Sequence, residues 1–329
     1  MLKITFLEVD TEDRASILEE FPDAVTVQGE KNSDEIVEAC KDSEIVSCFI
    51  YSAFSKEVLQ RLPKLKLLCT RSVGYDHIDI NECTKRGITV CNVPDYGSHV
   101  IAEHVFALLL STLRHIPEAD KKVESGVFDY HGLRGIALRG KTLGILGTGK
   151  IGRSVAQIAH GFGMKILVVD ECRTLDIVET FGVSYVTLSE LLASSDIITL
   201  HIPETKETAH IINASALRLM KEGVVLVNTA RGGLIDSAAL LHALQTGKVG
   251  YALLDVLEHE TNFENNKSLV SHPHVVSTPH IAFYADDSMK NMYADSFVAI
   301  RQYMDGMVPD HIVHPIKVVC DMPSVQRSS

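Results

Sequence analysis

The chain has 329 residues, 46% of them hydrophobic and 22% charged, with 31 Lys and Arg against 43 Asp and Glu for a formal net charge of −12. That length and apolar content call for two packed cores and exclude a disordered chain, while the longest apolar run, 105–110, falls far short of the ~20 residues a bilayer core demands. An acidic chain without a lysine or arginine run is unsuited to nucleic acid or anionic lipid, so an anionic substrate must be captured by local cations.

Residues 1–10 lack the basic flank and cleavage pattern of a signal peptide and read at once as a strand, so a cytoplasmic protein is expected. Short β-branched runs follow at 24–27, 45–51, 65–72 and 88–93, alternating with helical patterns. Near-continuous apolar strands imply a parallel sheet covered on both faces. After the opening strand come Asp10, Thr11, Glu12 and Asp13, three carboxylates and no glycine, which cannot cradle phosphate. This half is therefore expected to bind substrate. A long helix is predicted over 98–115, with Ser98 as its cap and Pro117 preventing further extension, and the domain crossing is placed there. Seven cysteines, Cys40, Cys48, Cys69, Cys83, Cys91, Cys172 and Cys320, are scattered with no CxxC pair. Neither a disulfide framework nor a zinc site is suggested, reduced thiols are expected, and no metal is predicted.

From residue 141 the alternation restarts, with strands at 142–146, 165–170, 196–202, 224–230, 251–256 and 275–277 and helices between most of them. Asn213 and Asp236 are good caps for helices at 214–220 and 237–245, which Gly223 and Gly247 terminate. The fold class is α/β, two doubly wound parallel-sheet domains. A last helix, 286–304, has no strand to feed and should pack back on the first sheet. The substrate domain is then discontinuous, 1–97 with 286–329, around a cofactor domain at 98–285. The tail 315–329 is expected to fray.

Gly147, Thr148, Gly149, Lys150, Ile151 and Gly152 spell GxGxxG directly after a strand and at the start of a helix. In that context the glycines permit a tight turn and close backbone approach, and the helix points free amides at a pyrophosphate. A plain glycine turn is the bland alternative. Asp170 ends the next strand, where a carboxylate can accept from ribose hydroxyls. Glu171 beside it repels a 2′-phosphate and favours NAD over NADP, with Arg173 as the one dissenting charge.

Arg231, Glu260 and His280 sit at or beyond the carboxyl ends of strands, where open α/β sheets place chemistry. Singly they read as a surface salt bridge, solvated loop charge and one structural histidine among 15. Together they meet the needs of hydride transfer at a secondary alcohol: an imidazole to take the hydroxyl proton, a carboxylate to stabilise imidazolium and fix the tautomer, and a guanidinium fork for a substrate carboxylate. A metal set of His272, His274 and His280 is weaker, since neighbouring strand residues point oppositely and no carboxylate or cysteine completes it.

Six ordered stretches now carry a resemblance over nearly the whole chain: SVGYDHID at 72–79, NVPDYGSHVIAEH at 92–104, LGTGKIG at 146–152, VNTARGGLID at 227–236, LDVLEHE at 254–260 and TPH at 278–280. The sequence resembles the D-isomer-specific 2-hydroxyacid dehydrogenases. The resemblance implies a flavodoxin-like substrate domain and a Rossmann NAD-binding domain, with the active site in the interdomain cleft and a homodimer built through 98–115. It implies Arg231 as substrate clamp, Glu260 as partner of the imidazole and His280 as acid/base. Gly147, Gly149, Lys150, Ile151, Gly152 and Asp170 would hold NAD, with Ile202, Pro203 and Thr208 on its adenosine side and Thr229, Ala230 and Asp255 on the nicotinamide half. Val73 and Gly74 would offer backbone amides to the substrate carboxylate.

Within the family the chain is most similar to the D-lactate type, with Tyr96 at its substrate tyrosine and TPHIAFY at 278–284 ending in the aromatic pair Phe283 and Tyr284. Core packing is the bland reading of that pair. Leu257 and Thr261 depart from the aromatic and proline common beside the glutamates. The alternatives weighed are a hydroxypyruvate or glyoxylate reductase, a phosphoglycerate dehydrogenase, against which the missing regulatory sequence argues, and an NAD-sensing corepressor, which usually carries extra disordered segments.

Overall fold

Short apolar runs, most of them largely buried, become twelve parallel strands in two separate sheets among the described residues, which are 2–260 and 262–314 of the computed structural model. The expected fraying of 315–329 and the departure at Thr261 lie outside those residues. The chain divides into two compact units, one running to Gly97 and resuming at Ala285, the other spanning Ser98–Tyr284.

In the first unit β1 (Ile4–Phe6), β2 (Val25–Thr26), β3 (Ile45–Cys48), β4 (Leu67–Thr70) and β5 (Thr89–Cys91) lie in the order β2-β1-β3-β4-β5. This is the flavodoxin-like order. One face packs Leu7, Val46, Leu68 and Val90 against Ile36, Val58 and Leu59, which are all buried. The helix Asp286–Met304 covers this sheet rather than the second. Its Phe297 meets Phe6 and Phe21 edge-on at 6.0 and 5.4 Å. The guanidinium of Arg71, 1% exposed, sits 5.1 Å from the Tyr293 ring centre and donates to Ser47 Oγ and the Leu7 carbonyl, so a buried charge ties the helix to the strands.

In the second unit the strands are β6 (Thr142–Leu146), β7 (Lys165–Val169), β8 (Ser184–Tyr185), β9 (Ile197–Leu200), β10 (Val224–Asn228), β11 (Val249–Leu254) and β12 (Val275–Ser277). Their order is β12-β11-β10-β9-β6-β7-β8. The strand order therefore reverses between β6 and β9, the switch point at which such sheets bind ligands. The helix Lys150–Gly161 buries Gly152, Val155, Ala156 and Ala159, one face at helical spacing, beside β6 and β7. Each fully buried aliphatic side chain in these cores contributes about 1.5–3 kcal/mol.

Three local expectations need correction. β8 lies where no strand was expected. The long helix stops at Leu113, because His115 adopts a left-handed φ of 53° and a new helix, Ile116–Glu124, begins with Pro117 in its first turn. A proline there costs nothing, since that N–H has no helical partner. Finally, Cys40, Cys48, Cys69, Cys83 and Cys91 are free and buried, but Cys172 is disulfide-bonded. No described helix is long and apolar enough to cross a membrane, and no described cluster of three or more His, Cys, Asp or Glu could hold a metal ion.

Candidate active site

The glycine loop leaves β6 and enters the helix Lys150–Gly161 with Gly149 as its extended N-cap. Lys150 and Ile151 form the first turn, where backbone amides have no helical partner. A Cβ on Gly152 would stand 1.9 Å from the Gly147 carbonyl oxygen, so only glycine lets the helix approach the turn this closely. Asp170, at the end of β7, accepts from Thr148 N and Oγ1 at 2.5 and 2.8 Å and from Cys172 N at 2.8 Å, which fixes the carboxylate beside the loop. Arg173, the dissenting charge, lies 5.6 Å from the Tyr185 ring centre.

Arg231, Glu260 and His280 lie in loops that leave the carboxyl ends of β10, β11 and β12, three neighbouring strands. His280 Nδ1 donates to Glu260 Oε2 at 3.1 Å, and the two side chains are 19% and 37% exposed. Glu260 Oε1 accepts the Leu257 N–H at 3.3 Å. His280 holds a left-handed φ of 54°, and its N–H donates to the Asp255 and Thr278 carbonyls. The Phe283 ring meets the imidazole edge-on with centres 6.3 Å apart, and the half-exposed Tyr284 meets Phe283 at 5.8 Å. This aromatic pair is part of the site's surroundings and not core.

The Arg231 turn is shaped by Asn228, 1% exposed, which sequence reasoning missed. Its Nδ2 donates to the Arg231 carbonyl at 2.8 Å and its Oδ1 accepts the Ala230 N–H at 3.0 Å. Thr229 Oγ1 is buried with no hydrogen-bond partner among the described residues. An orphaned hydroxyl, a turn at Gly147 and Gly152 without room for a Cβ, and a pre-oriented carboxylate where a ribose is expected together fit a dinucleotide.

Asp255, expected on the nicotinamide half, builds the turn that carries His280. One oxygen accepts from Thr278 Oγ1 and Ile281 N at 2.5 and 2.9 Å, and the other accepts Ala282 N at 2.8 Å. His104 Nε2, another residue the sequence did not single out, lies 3.5 Å from the carboxylate and 3.2 Å from Thr278 Oγ1. Burial pushes the Asp255 carboxyl up, but these bonds outweigh it and hold the group below its ordinary value.

On the expected adenosine side, half-buried Ile202 packs onto the buried cluster that holds Leu146, Leu200 and Leu234, and Thr208 Oγ1 donates to the Pro203 carbonyl at 2.7 Å to close that turn. Val73, Gly74 and Tyr96 belong to the first unit. There Asn92 Nδ2 donates to the Val73 carbonyl, Ser72 Oγ donates to the Gly74 carbonyl, and Tyr96 is buried.

Residues 106–282 match the family described as D-isomer specific 2-hydroxyacid dehydrogenase, NAD binding domain. A glyoxylate reductase of Pyrococcus furiosus is 38% identical over 291 residues, 85% of each chain. A D-3-phosphoglycerate dehydrogenase of Bacillus subtilis is 39% identical over 83% of this chain, which spans only 50% of that longer relative. Among solved structures, D-lactate dehydrogenase from Aquifex aeolicus, complexed with NAD and lactic acid, superposes with a TM-score of 0.86 at 35% identity, covering 92% of this chain and 96% of that one.

Proposed function

The chain belongs to the D-isomer-specific 2-hydroxyacid dehydrogenase family, and we propose that it reduces pyruvate to D-lactate with NADH. It is an NAD-dependent 2-hydroxyacid dehydrogenase, and the choice of pyruvate is the proposal. The observation that carries pyruvate is the aromatic wall of Phe283 and Tyr284 beside His280. A methyl group gains from facing aromatic carbon, whereas glyoxylate presents only hydrogen and a phosphorylated acid brings charge to an apolar surface. The Aquifex relative with lactic acid supports the same choice. A glyoxylate reductase is the second reading, favoured by the Pyrococcus relative.

In this reading Gly147, Gly149, Gly152, Lys150, Ile151 and Asp170 hold the dinucleotide, with Thr229 and Ala230 beside its nicotinamide. Bound NADH supplies the hydride. His280 delivers the proton to the keto oxygen from Nε2, because Nδ1 is committed to Glu260. Glu260 stabilises the charged imidazolium and fixes the ring's orientation. Arg231 holds the substrate carboxylate with its planar fork and polarises the carbonyl. In the reverse direction His280 takes the hydroxyl proton.

A homodimer and a cytoplasmic location belong to the same reading. The dimer is expected through 98–115, and Phe128 and Tyr130, 94% and 79% exposed on the stretch after the helix Ile116–Glu124, add apolar surface for a second copy. The deciding experiment is a panel of pyruvate, glyoxylate, hydroxypyruvate and 3-phosphohydroxypyruvate with NADH, with chiral analysis of the product. Highest kcat/KM for pyruvate and a D product are expected. Preference for glyoxylate installs the second reading, and bound NADH without turnover of any acid removes both.

A further inference from the structure

The second unit contains another histidine–carboxylate pair that the proposed reaction leaves unused. His210 Nε2 donates to Glu258 Oε1 at 2.6 Å, a shorter contact than that of His280 with Glu260. Glu258 Oε2 accepts the Ser237 N–H at 3.1 Å, at the start of the helix Ser237–Gln245, and the Glu258 side chain is 17% exposed. Burial pushes this carboxyl up, but the bonds from Ser237 and His210 outweigh it and hold it below its ordinary value.

The backbone around the pair joins the loops that carry the site. His210 takes a left-handed φ of 51°, a conformation that a non-glycine residue keeps only when its surroundings hold it. Its N–H donates to the Gly233 carbonyl at 2.8 Å, and Ile212 continues the seam with bonds to Leu234 and Asp236. Gly233 lies two residues after Arg231. On the other side of that turn, a Cβ on Gly232 would stand 2.0 Å from the Leu257 carbonyl oxygen, so the Arg231 turn rests on the backbone leading to Glu260. Glu258 lies on that same stretch. The backbone of His210 therefore grips the Arg231 turn while its side chain grips the Glu260 loop.

We propose that His210 and Glu258 are positioning residues which fix the Arg231 turn and the Glu260 loop relative to one another, and so set the spacing between substrate clamp and proton carrier. The inference rests on the roles proposed for Arg231, Glu260 and His280. A pair that merely stabilised the fold would, when broken, lower the unfolding temperature and leave the folded enzyme's kinetics intact. A positioning pair acts on both KM and kcat, because a misplacement of about 1 Å at reacting groups can cost about a hundred-fold in rate.

The test uses the full chain as wild type and as His210→Ala, His210→Gln, Glu258→Gln and the double variant His210→Ala with Glu258→Gln. Steady-state NADH oxidation with pyruvate is read beside thermal unfolding by circular dichroism. His210→Ala and Glu258→Gln, folded at the assay temperature, are expected to raise KM for pyruvate and lower kcat, for a loss of about ten-fold or more in kcat/KM. His210→Gln, whose amide can donate from nearly the same place, should return to within about three-fold of wild type, and the double variant should be no worse than the worse single one. Kinetics within about two-fold of wild type in both folded single variants overturn the proposal, as does a loss that glutamine fails to relieve. If His280→Ala is inactive while His210→Ala behaves as wild type, this inference alone falls. A wild type inert with every keto acid, or a fully active His280→Ala, takes down the proposed function and this inference together.

Discussion

Glu260 Oε2 and His280 Nδ1 stand 3.1 Å apart although the two residues leave different strands of the second sheet. The bond commits one ring nitrogen to the carboxylate and leaves the other for the proton transfer proposed for His280. His280→Ala should therefore lower kcat by about a hundred-fold or more, in the range a positioned acid/base supplies. Glu260→Gln should cost less, since the imidazole remains. NADH affinity, read by fluorescence titration, should be unchanged in both. Wild-type kinetics in His280→Ala would remove its assigned role.

Arg231 is a fork, not merely a charge. Arg231→Lys keeps the positive charge but loses the two parallel bonds to a carboxylate. Stopped-flow or steady-state kinetics should show KM for pyruvate raised by about ten-fold or more with kcat reduced less. An unchanged KM would mean that another cation captures the acid.

The Phe283 ring, edge-on to the imidazole at 6.3 Å, is the contact that argues for a methyl-bearing substrate. Phe283→Ala should lower kcat/KM for pyruvate relative to glyoxylate by about ten-fold, the scale of a methyl-sized contact in a pocket. An unchanged ratio would detach the aromatic wall from substrate choice.

His201 links stability to pH. Its ring nitrogen lies 2.9 Å from buried Thr199 Oγ1, and burial holds the ring's pKa down to about 3, against 6.5 for an ordinary histidine. The unfolded chain therefore takes up a proton below pH 6.5 that the folded chain refuses. This contribution to stability is fully present above pH 6.5 and is lost as pH falls toward 3, by up to about 1.4 kcal/mol per pH unit. Urea unfolding between pH 6.5 and 4 should show a shallower decline for His201→Gln than for wild type. Parallel curves would assign the acid sensitivity to other groups.

Phe128, 94% exposed, and Tyr130, 79% exposed, are large apolar side chains with most of their surface uncovered. Phe128→Glu should convert the proposed dimer to a monomer, read as a halved mass by light scattering with the unfolding transition retained. A wild type that is already monomeric would end the assignment of this surface.

Much of the site was legible because its signals are local. The glycine spacing, the strand before it and Asp170 some 20 residues later follow from what one turn and one helix need. The helix Ser237–Gln245 fell where its cap placed it, visible as Asp236 accepting the Ala239 N–H, and Asp286–Met304 fell where the last helical pattern ran. Asn228 and His104 lie inside recognised stretches and His210 outside them, but nothing local gives any of the three a role. Each matters through a partner brought near by the sheet.

The order of residues alone thus determined the two sheets and the glycine loop and nominated the three groups proposed to react, because periodicity, turns and motifs are written within a few residues of one another. Only the folded chain decided that Asp255 anchors the turn of His280, that His210 joins the Arg231 turn to the Glu260 loop, and that Cys172 is bonded. The reason is the parallel crossover. It returns each new strand beside an earlier one, so the loops beyond β10, β11 and β12 meet at one edge although helices separate them along the chain.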